Sequence, residues 1–290
     1  MKTLKNVFEQ VVDYDNLYRA YLNARLCKRY RYEVLNFSAH LEDNLVKLQK
    51  ELIDRTYTLG KYREFYIYEP KKRLVMAQPF KDRVVQWAIY QVLNPVFAQG
   101  YITDSYACIK ERGTHKAVKR LHYWLRQVGK KPEKYYFLKL DISKYFYRID
   151  HDVLMGILKR KIHDDDMIFL LDKIVNSSET NFGLPPGKSP GEVKRSDRVS
   201  EKGMPVGNLS SQMFANLYLN ELDQYCKRTL GIHFYVRYMD DVIILHQDKD
   251  QLHEWKRIID TFLKEKLQLD LNEKTCIRPI TLGVEFCGYK

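Results

Sequence analysis

Apolar residues recur at helical spacing along the first sixty residues of the chain. They repeat every three or four residues between charged positions, at Leu17, Tyr21, Leu22, Leu41, Leu45, Leu48 and Leu52. This period predicts amphipathic helices across residues 1–60. Residues 61–78 have the pattern of a β-hairpin, and residues 81–99 return to a helical pattern that we expect to end near Pro95.

Two apolar segments predict strands in the second half of the chain. Tyr135–Leu140 form a strand that ends at Asp141. The segment HFYVRYMDDVIIL alternates between apolar and polar residues before its central turn and is continuously apolar after it. This arrangement is typical of a buried β-hairpin.

Helical patterns fill most of the remaining sequence, at residues 153–161, 167–175, 207–228 and 252–267. The third of these has one apolar face, formed by Phe214, Leu217, Tyr218 and Leu222. Residues 176–203 are rich in Pro, Gly, Ser and charge, and a loop of this length in a compact domain is usually functional or disordered. The combined pattern predicts an α+β fold in which a sheet is backed by helices.

Adjacent carboxylates occupy the tip of the predicted hairpin, at Asp240 and Asp241. A tight turn normally carries Asn-Gly or Asp-Gly, and two neighbouring acids repel each other unless a cation neutralises them. A solvated turn is the alternative, because such pairs are common on surfaces. A third acid, Asp141, follows a strand 99 residues earlier. Three acids on two strand ends can converge to hold a pair of Mg²⁺ ions roughly 4 Å apart, the arrangement used for phosphoryl transfer.

Four sequence blocks in a fixed order resemble those of reverse transcriptases. They are LKLDISKYF, GMPVGNLSSQMFANLYLNELD, RYMDD, and LNEKTC followed by VEFCGY, and the resemblance runs from about residue 15 to Lys290. It implies a right-hand polymerase fold with helical fingers and an antiparallel palm sheet backed by helices. Asp141, Asp240, Asp241 and the carbonyl of Ile142 would be the metal ligands, with two Mg²⁺ ions as cofactors and Mn²⁺ as a substitute.

The same resemblance assigns further roles around the incoming nucleotide. Phe146, five residues after Asp141, would exclude a 2′-hydroxyl by steric contact with the sugar, although it also fits as a core aromatic residue. Lys274 would protonate the pyrophosphate leaving group, although it also fits as an ordinary surface charge. The triphosphate would meet a basic run that otherwise fits a solvated face, formed by Lys71, Lys72, Arg73, Lys81 and Arg83. Arg73 is the best candidate, because guanidinium binds phosphate oxygens in pairs.

The second block narrows the resemblance to the diversity-generating retroelement type. Where most similar polymerases carry Gln before the glycine and Pro after the serine, this chain has Val206, Gly207 and, five residues on, Gln212. Polymerases of this type copy a template RNA into error-prone DNA, with errors opposite adenine. An aliphatic side chain at position 206 removes an amide that could hydrogen-bond the template or nucleotide, which should lower discrimination. The resemblance also implies a basic oligomeric accessory protein as a partner.

The end of the chain resembles the primer-grip hairpin, with Phe286, Cys287, Gly288 and Tyr289. We predict an N-terminal extension and fingers over residues 1–135 and a palm over residues 136–290, with residues 176–203 as a loop insertion. A helical thumb normally follows in this family, and we expect none in this chain. A partner would then close the far side of the duplex, unless the sequence is truncated.

Composition agrees with a nucleic-acid enzyme. The chain has 49 basic and 37 acidic residues, a net charge of +12, with 22 Tyr and 13 Phe. Cations suit the phosphates of template RNA, primer and deoxynucleotides, and rings suit bases. The five cysteines are scattered without zinc-ligand spacing, and no apolar run reaches the roughly 20 residues that span a bilayer. We expect a bacterial or phage-infected cytoplasm as the setting.

Other functions remain open at this point. Within the enzymes, a defence-associated or group II intron-like reverse transcriptase is the alternative, although Val206 and Gln212 argue against the intron type. Outside the enzymes, the fold could serve as a catalytically idle RNA-binding scaffold. The intact acids at positions 141, 240 and 241 argue against that scaffold, whereas the missing thumb favours it.

Overall fold

The computed structural model describes residues 3–68, 72–185 and 187–290 and divides into two compact units. The first unit comprises Met1–Gln99 and Asp150–Phe214, and the second comprises Gly100–Ile149 and Ala215–Lys290. Both units are therefore built from two separate stretches of chain. The boundary predicted between residues 135 and 136 concerns functional subdomains and stays a prediction.

Eleven helices and six strands form the described part of the chain. The helices are α1 (Val7–Val12), α2 (Tyr14–Ala24), α3 (Tyr32–Ala39), α4 (Leu41–Ile53), α5 (Phe80–Gln99), α6 (Thr114–Val128), α7 (Tyr145–Arg148), α8 (His151–Lys161), α9 (Asp165–Val175), α10 (Leu209–Gln224) and α11 (Lys249–Leu267). The strands are β1 (Arg63–Ile67), β2 (Arg73–Ala77), β3 (Tyr136–Asp141), β4 (Tyr235–Tyr238), β5 (Asp241–His246) and β6 (Cys276–Pro279). The mixed helix and sheet architecture confirms the predicted α+β class.

Aspartate side chains start four of these helices. Asp13, Asp150, Asp164 and Asp248 each accept a hydrogen bond from a backbone N–H in the first turn of α2, α8, α9 and α11. A carboxylate at this position satisfies a donor that has no partner within the helix and faces the positive end of the helix dipole. The capping residues thus explain the helix starts better than apolar periodicity alone.

Helix α5 continues through Pro95 to Gln99, so the prediction that it ends near Pro95 was wrong. Proline removes one interior hydrogen bond, which disfavours but does not forbid a helix. Leu93 and Phe97, on either side of the proline, are both buried in the first unit. Their burial holds the last turn of the helix in place and outweighs the lost hydrogen bond.

The first unit carries the predicted hairpin, in which β1 and β2 pair in antiparallel register. Residues opposite one another share a face, so the buried Leu74 and Met76 lie on the same side as Tyr66, which is exposed, and Glu64, which is half-buried. The main chain of Val206 extends this hairpin, because its carbonyl accepts a hydrogen bond of 3.0 Å from the N–H of Met76.

The predicted long loop at residues 176–203 is held against the hairpin by charge. Both terminal nitrogens of Arg198 donate to the two carboxylate oxygens of Glu64, at 2.7 and 2.8 Å. Arg195 adds a bond of 2.9 Å to Glu179 within the loop itself. Paired bonds between guanidinium and carboxylate fix direction as well as distance. The described part of the loop therefore has a defined path, which includes two short 3₁₀ turns, Ser178–Thr180 and Arg195–Asp197.

The second unit is built on an antiparallel sheet with strand order β4-β5-β3-β6. Ser105 extends the β4 edge through a parallel bridge to Arg237. One face of the sheet packs on α6 around a buried cluster that includes Trp124, Phe137, Ile243 and Phe286. The predicted strand before Asp141, the predicted hairpin and the buried face of α10 are all confirmed.

Gly203 provides a test of the packing in the first unit. Its φ is +91°, and an added Cβ would lie 2.6 Å from the backbone nitrogen of Gly183. We expect Gly203→Ala to lower the free energy of unfolding by about 1–3 kcal/mol or more, measured by urea denaturation. The control is Gly187→Ala, which also has a positive φ of +75° but no atom within 4 Å of the added Cβ. Equal losses in the two variants would show that the close approach at Gly203 has no energetic importance.

Candidate active site

The turn between β4 and β5 carries the two adjacent acids. Tyr238 and Asp241 are paired across the strands, so Met239 and Asp240 form the turn itself. Met239 has a φ of 54°, in the left-handed region that a residue with a side chain rarely adopts. The turn therefore holds a conformation that would suit Gly or Asn better, and surrounding contacts must maintain it.

The sheet brings the third acid to the same place. Asp141 is the last residue of β3 and is directly opposite Asp241 in the antiparallel register between β3 and β5. The end of β3 also contacts the segment that follows α11. The carbonyl of Asp141 accepts a hydrogen bond of 2.7 Å from the N–H of Asn272, and Ile142 forms an antiparallel bridge with Leu271. The register therefore places Asp141 beside Asp241 at one end of the sheet, next to the turn that carries Asp240.

Asp241 is held in surroundings that disfavour its charge. Its Oδ2 accepts a hydrogen bond of 3.3 Å from the N–H of Cys287, and its Oδ1 lies 3.9 Å from the Nζ of Lys139. Burial raises the pKa of Asp241 to about 6; Lys139 and the N–H of Cys287 oppose this rise, whereas the charges of Asp240 and Asp141 add to it. Lys139 and the N–H of Cys287 therefore do not fully compensate the ionised carboxylate for its burial and for the two neighbouring acids.

The same carboxylate fits a cation. Oδ1 of Asp241 is buried and accepts no hydrogen bond from the residues that the structure describes. An ionised oxygen without a donor is costly, and oxygen atoms are the ligands that Mg²⁺ prefers. Across the described ranges, no group of three or more His, Cys, Asp or Glu side chains forms a ready-made metal site. The three acids therefore lie on neighbouring strand ends without forming a closed cluster.

Arg237 holds the turn through a hydrogen bond from the buried core. Its side chain is fully buried, and its Nη1 donates to the carbonyl of Met239 at 3.0 Å. The guanidinium also forms paired bonds with Asp223 on α10, from Nε to Oδ1 at 2.7 Å and from Nη2 to Oδ2 at 2.6 Å. Burial alone would lower the pKa of Arg237, but the adjacent Asp223 outweighs this effect and raises the pKa. Arg237 thus stays charged within the core.

Neighbouring polar groups complete the network around this pair. Tyr235 donates its hydroxyl to Oδ1 of Asp223 at 2.7 Å, and the amide oxygen of Asn216 accepts from Nη1 of Arg237 at 3.2 Å. Asn216 in turn donates to the carbonyl of Ala107 at 2.5 Å. The network therefore links the turn, helix α10 and the loop before α6.

The predicted primer-grip residues form a tight turn in the second unit. Phe286 and Tyr289 exchange two backbone hydrogen bonds, of 2.8 and 3.0 Å, and both Cys287 and Gly288 have positive φ. Phe286 is buried in the core of the sheet, which anchors the turn. Burial raises the pKa of the Cys287 thiol to about 12, and the charge of Asp241 contributes to the rise.

Two further predicted residues lie in the second unit. Lys274 is exposed, on the turn that follows Asn272, and its N–H is 3.1 Å from the side-chain oxygen of Asn272. Phe146 is half-buried on α7, with its ring edge-to-face against Tyr145 at 5.6 Å. Tyr145, rather than Phe146, is the core residue of this pair, since it is only 2% exposed. A ring that remains partly exposed is available to contact a sugar.

The remaining predicted residues belong to the first unit. Lys72 is exposed, with its Nζ over the rings of Tyr66 and Tyr68 at 4.6 and 5.9 Å, and Arg73 begins β2. Gly207 has a φ of +115°, and a Cβ there would meet Val75 at 2.9 Å. Val206 and Gln212 are half-buried, while Lys71 lies outside the described residues.

Sequence reasoning missed the buried network beneath the turn. A signal for it existed at Arg237, which interrupts the apolar residues of FYVRYM, whereas Asp223 lies among other polar residues in LNELDQY. A charged residue in an otherwise apolar strand is informative when it is buried, since burial requires a partner. The contact of Cys287 with Asp241 had no comparable signal, because a backbone N–H makes it.

Comparisons with known proteins identify the family to which this chain belongs. The family described as "Reverse transcriptase (RNA-dependent DNA polymerase)" matches residues 68–290. The chain therefore belongs to the reverse transcriptase family, whose enzyme class is RNA-directed DNA polymerase. It is also similar to several intron proteins.

Two curated relatives illustrate the range of similarity. Protein YkfC of Escherichia coli is 26% identical over 287 residues, covering 87% of this chain and 72% of YkfC. The group II intron-encoded protein LtrA of Lactococcus lactis is 27% identical over 188 residues, covering 63% of this chain and 28% of LtrA. The chain thus spans less than a third of the length of LtrA.

Solved structures show the same fold at low sequence identity. Telomerase from Candida tropicalis in complex with a fragment of telomeric RNA superposes with a TM-score of 0.53 at 13% identity, covering 83% of this chain and 46% of that chain. The apo form gives a TM-score of 0.52 at 15% identity, covering 79% of this chain and 46% of that chain.

Among the helices that the structure describes, none has the length and apolar character needed to span a membrane.

The buried pair of Arg237 and Asp223 generates a stability prediction. Asp223→Asn keeps the shape of the side chain but leaves a buried guanidinium without its carboxylate. We expect the free energy of unfolding to fall by about 3–5 kcal/mol, measured by urea denaturation. The control is Asp260→Asn, which breaks the exposed pair with Lys264 and should leave the stability nearly unchanged. A loss at position 223 as small as the control would contradict a structural role for the pair.

Proposed function

We propose that this chain is the error-prone polymerase of a diversity-generating retroelement, which copies a template RNA into DNA with errors opposite adenine. The observation that supports polymerase chemistry most directly is the pairing of Asp141 with Asp241 beside the Asp240 turn. The subtype is supported by Val206, Gly207 and Gln212 in place of the Gln-Gly and Ser-Pro pattern. Template RNA, primer, deoxynucleotides and a basic oligomeric accessory protein would be its partners, in a bacterial or phage-infected cytoplasm.

The three aspartates and the carbonyl of Ile142 would hold the metal ions in this proposal. Two Mg²⁺ ions, or Mn²⁺ in their place, would supply activation of the primer hydroxyl and charge neutralisation at the phosphate when bound. Oδ1 of Asp241 supports this assignment, because it accepts no hydrogen bond from the described residues and a buried carboxylate oxygen needs a counter-charge. Catalysis would then depend on positioning and on electrostatic stabilisation of the developing charge.

Other side chains would position the nucleotide and the primer. Lys72 and Arg73 would bind the triphosphate, Phe146 would exclude a 2′-hydroxyl, and Lys274 would give a proton to the pyrophosphate as it leaves. The turn of Phe286, Cys287, Gly288 and Tyr289 would hold the primer end. Its bond to Asp241 supports this role, because it puts the turn beside the proposed metal ligands.

Val206 and Gly207 would set the low fidelity. The carbonyl of Val206 is occupied by the N–H of Met76, so its contribution toward a base pair would come from an aliphatic side chain. Gly207 admits no side chain without displacing Val75. A pocket with fewer hydrogen bonds to the base pair discriminates less between correct and incorrect nucleotides.

A group II intron-like polymerase is the second candidate. The similarity to LtrA favours it, since LtrA is described as a group II intron-encoded protein. The two candidates share the same chemistry and differ in template and in fidelity. Sequencing of the product on a defined RNA template separates them, because accurate DNA favours the intron-like enzyme.

Asp240→Asn tests the proposed chemistry. The change removes one proposed ligand charge while preserving shape, so primer extension on RNA with Mg²⁺ should fall by at least 1,000-fold, on the order expected for a catalytic metal ligand. RNA affinity should stay within about twofold. Asp250→Asn on the exposed first turn of α11 is the matched control and should retain full synthesis. Full DNA synthesis by the Asp240 variant would refute the metal assignment.

Val206→Gln tests the proposed source of error. A restored amide should lower misincorporation opposite template adenine by about two- to tenfold, since one hydrogen bond is worth about 0.5–1.5 kcal/mol. Product sequencing on an adenine-rich RNA gives the error rate. Val46→Gln makes the same exchange at an exposed position of α4 and should leave that rate unchanged. An error rate at position 206 equal to the control would show that fidelity is set elsewhere.

A further inference from the structure

Helix α6 separates an apolar face from a strongly basic one. Ala117, Leu121, Trp124 and Val128 are buried and pack on the core of the second unit. The opposite face is exposed to solvent and carries no apolar patch that needs a covering helix. The exposed face therefore contributes little to the fold, and its composition reflects some other requirement.

The charge on this face has one sign. From Arg112 to Pro132 the chain has seven Lys and Arg residues and no Asp or Glu. Two of the seven act within the unit, because Arg112 donates to the carbonyls of the preceding loop and Arg120 pairs with Asp104 at 2.8 Å. None of the other five forms an ion pair with a residue that the structure describes: Lys116, Lys119, Arg126, Lys130 and Lys131.

Three of these cations form a line with an aromatic ring between them. Lys119, Tyr123 and Arg126 are spaced by four and three residues, which places them on one side of α6, and Lys130 follows four residues later, just beyond the end of the helix at Val128. At 1.5 Å per residue the helical part of the line is about 10 Å long. The same side chains line a shallow groove of about 420 Å³ together with Val118, His122 and Gln127. Tyr123 is 54% exposed.

We propose that this basic line of α6 binds the phosphate backbone of RNA outside the active site. Neighbouring cations without a counter-charge repel one another, so a polyanion stabilises the arrangement by neutralising several of them together. The ring at the centre of the line can stack on an unpaired base. An acidic protein has no bases, so this contact favours RNA as the polyanion. The choice of RNA as the polyanion rests on the proposed function, in which a template RNA accompanies the enzyme.

This surface extends the contact between the polymerase and its RNA beyond the nucleotides being copied. The cations on α6 belong to the second unit, whose sheet also carries Asp141, Asp240 and Asp241. A transcript held along α6 stays bound to that unit while a different part of it is copied. The expected consequence is a preference for long RNA over short templates.

The test compares two triple variants of the full chain. One carries Lys119→Gln, Arg126→Gln and Lys130→Gln, and the control carries Lys249→Gln, Arg257→Gln and Lys266→Gln on exposed positions of α11. Affinity for a fluorescent, unstructured 40-nucleotide RNA is measured by anisotropy between 50 and 200 mM salt. We expect the α6 variant to lose about two units of the slope of log K against log salt, since each phosphate contact on a single strand contributes about 0.7.

Further outcomes decide between RNA and other partners. Tyr123→Leu should weaken binding of the single strand about fivefold or more and leave binding of an RNA duplex unchanged. The proposal is wrong if the α6 triple variant binds RNA as the α11 control does, or if it loses only the binding of an acidic polyglutamate probe. Unchanged thermal unfolding of both triple variants would exclude misfolding as the cause.

The same variants separate this inference from the proposed function. RNA affinity is measured without catalysis, so a weakened α6 variant supports the surface whether or not the chain synthesises DNA. On a short template at saturating concentration, the α6 variant should extend a primer as fast as the unaltered chain. Loss of synthesis there would overturn the placement of this surface outside the active site.

Discussion

The ion pair between Arg237 and Asp223 is the constraint on which the rest of the active-site hairpin depends. Both side chains are 0% exposed, so each has given up its hydration and relies on the other. Asp223 belongs to a helix, whereas Arg237 belongs to a strand and reaches forward to the carbonyl of Met239. The pair therefore holds together the two layers of the second unit and the turn that carries Asp240. A single buried contact thus links the packing of the core to the geometry of the turn that carries the proposed metal ligands.

The carboxylates above this pair are arranged at the expense of stability. Asp141, Asp240 and Asp241 lie on adjacent strand ends, and burial together with mutual repulsion raises the pKa of Asp241 to about 6. A protein selected for stability alone would carry Asn-Gly at such a turn. The left-handed Met239 adds a further cost of the same kind. The buried network below holds this turn in place, because Arg237, paired with Asp223, donates a hydrogen bond to the carbonyl of Met239.

The sequence was sufficient for those parts of the fold that repeat regularly. The buried hairpin, the strand before Asp141 and the apolar face of α10 follow from periods of two and 3.6 residues, and the acids follow from their unusual place in a turn. Pro95 was misjudged because burial on both sides of it outweighs one lost hydrogen bond. The partnership of Arg237 with Asp223 and the contact of Cys287 with Asp241 depend on residues brought together by folding, and no local pattern records such distances.

One backbone hydrogen bond has a mechanical meaning for the proposed primer-holding turn. The N–H of Cys287 donates a hydrogen bond to Oδ2 of Asp241, so this one bond connects the turn to the carboxylate. Any displacement of the turn leaves both oxygens of that carboxylate without a hydrogen bond from the main chain. The acid must then take up a proton or attract a cation more strongly. The ionisation of Asp241 is in this way coupled to the position of the turn that contains Cys287.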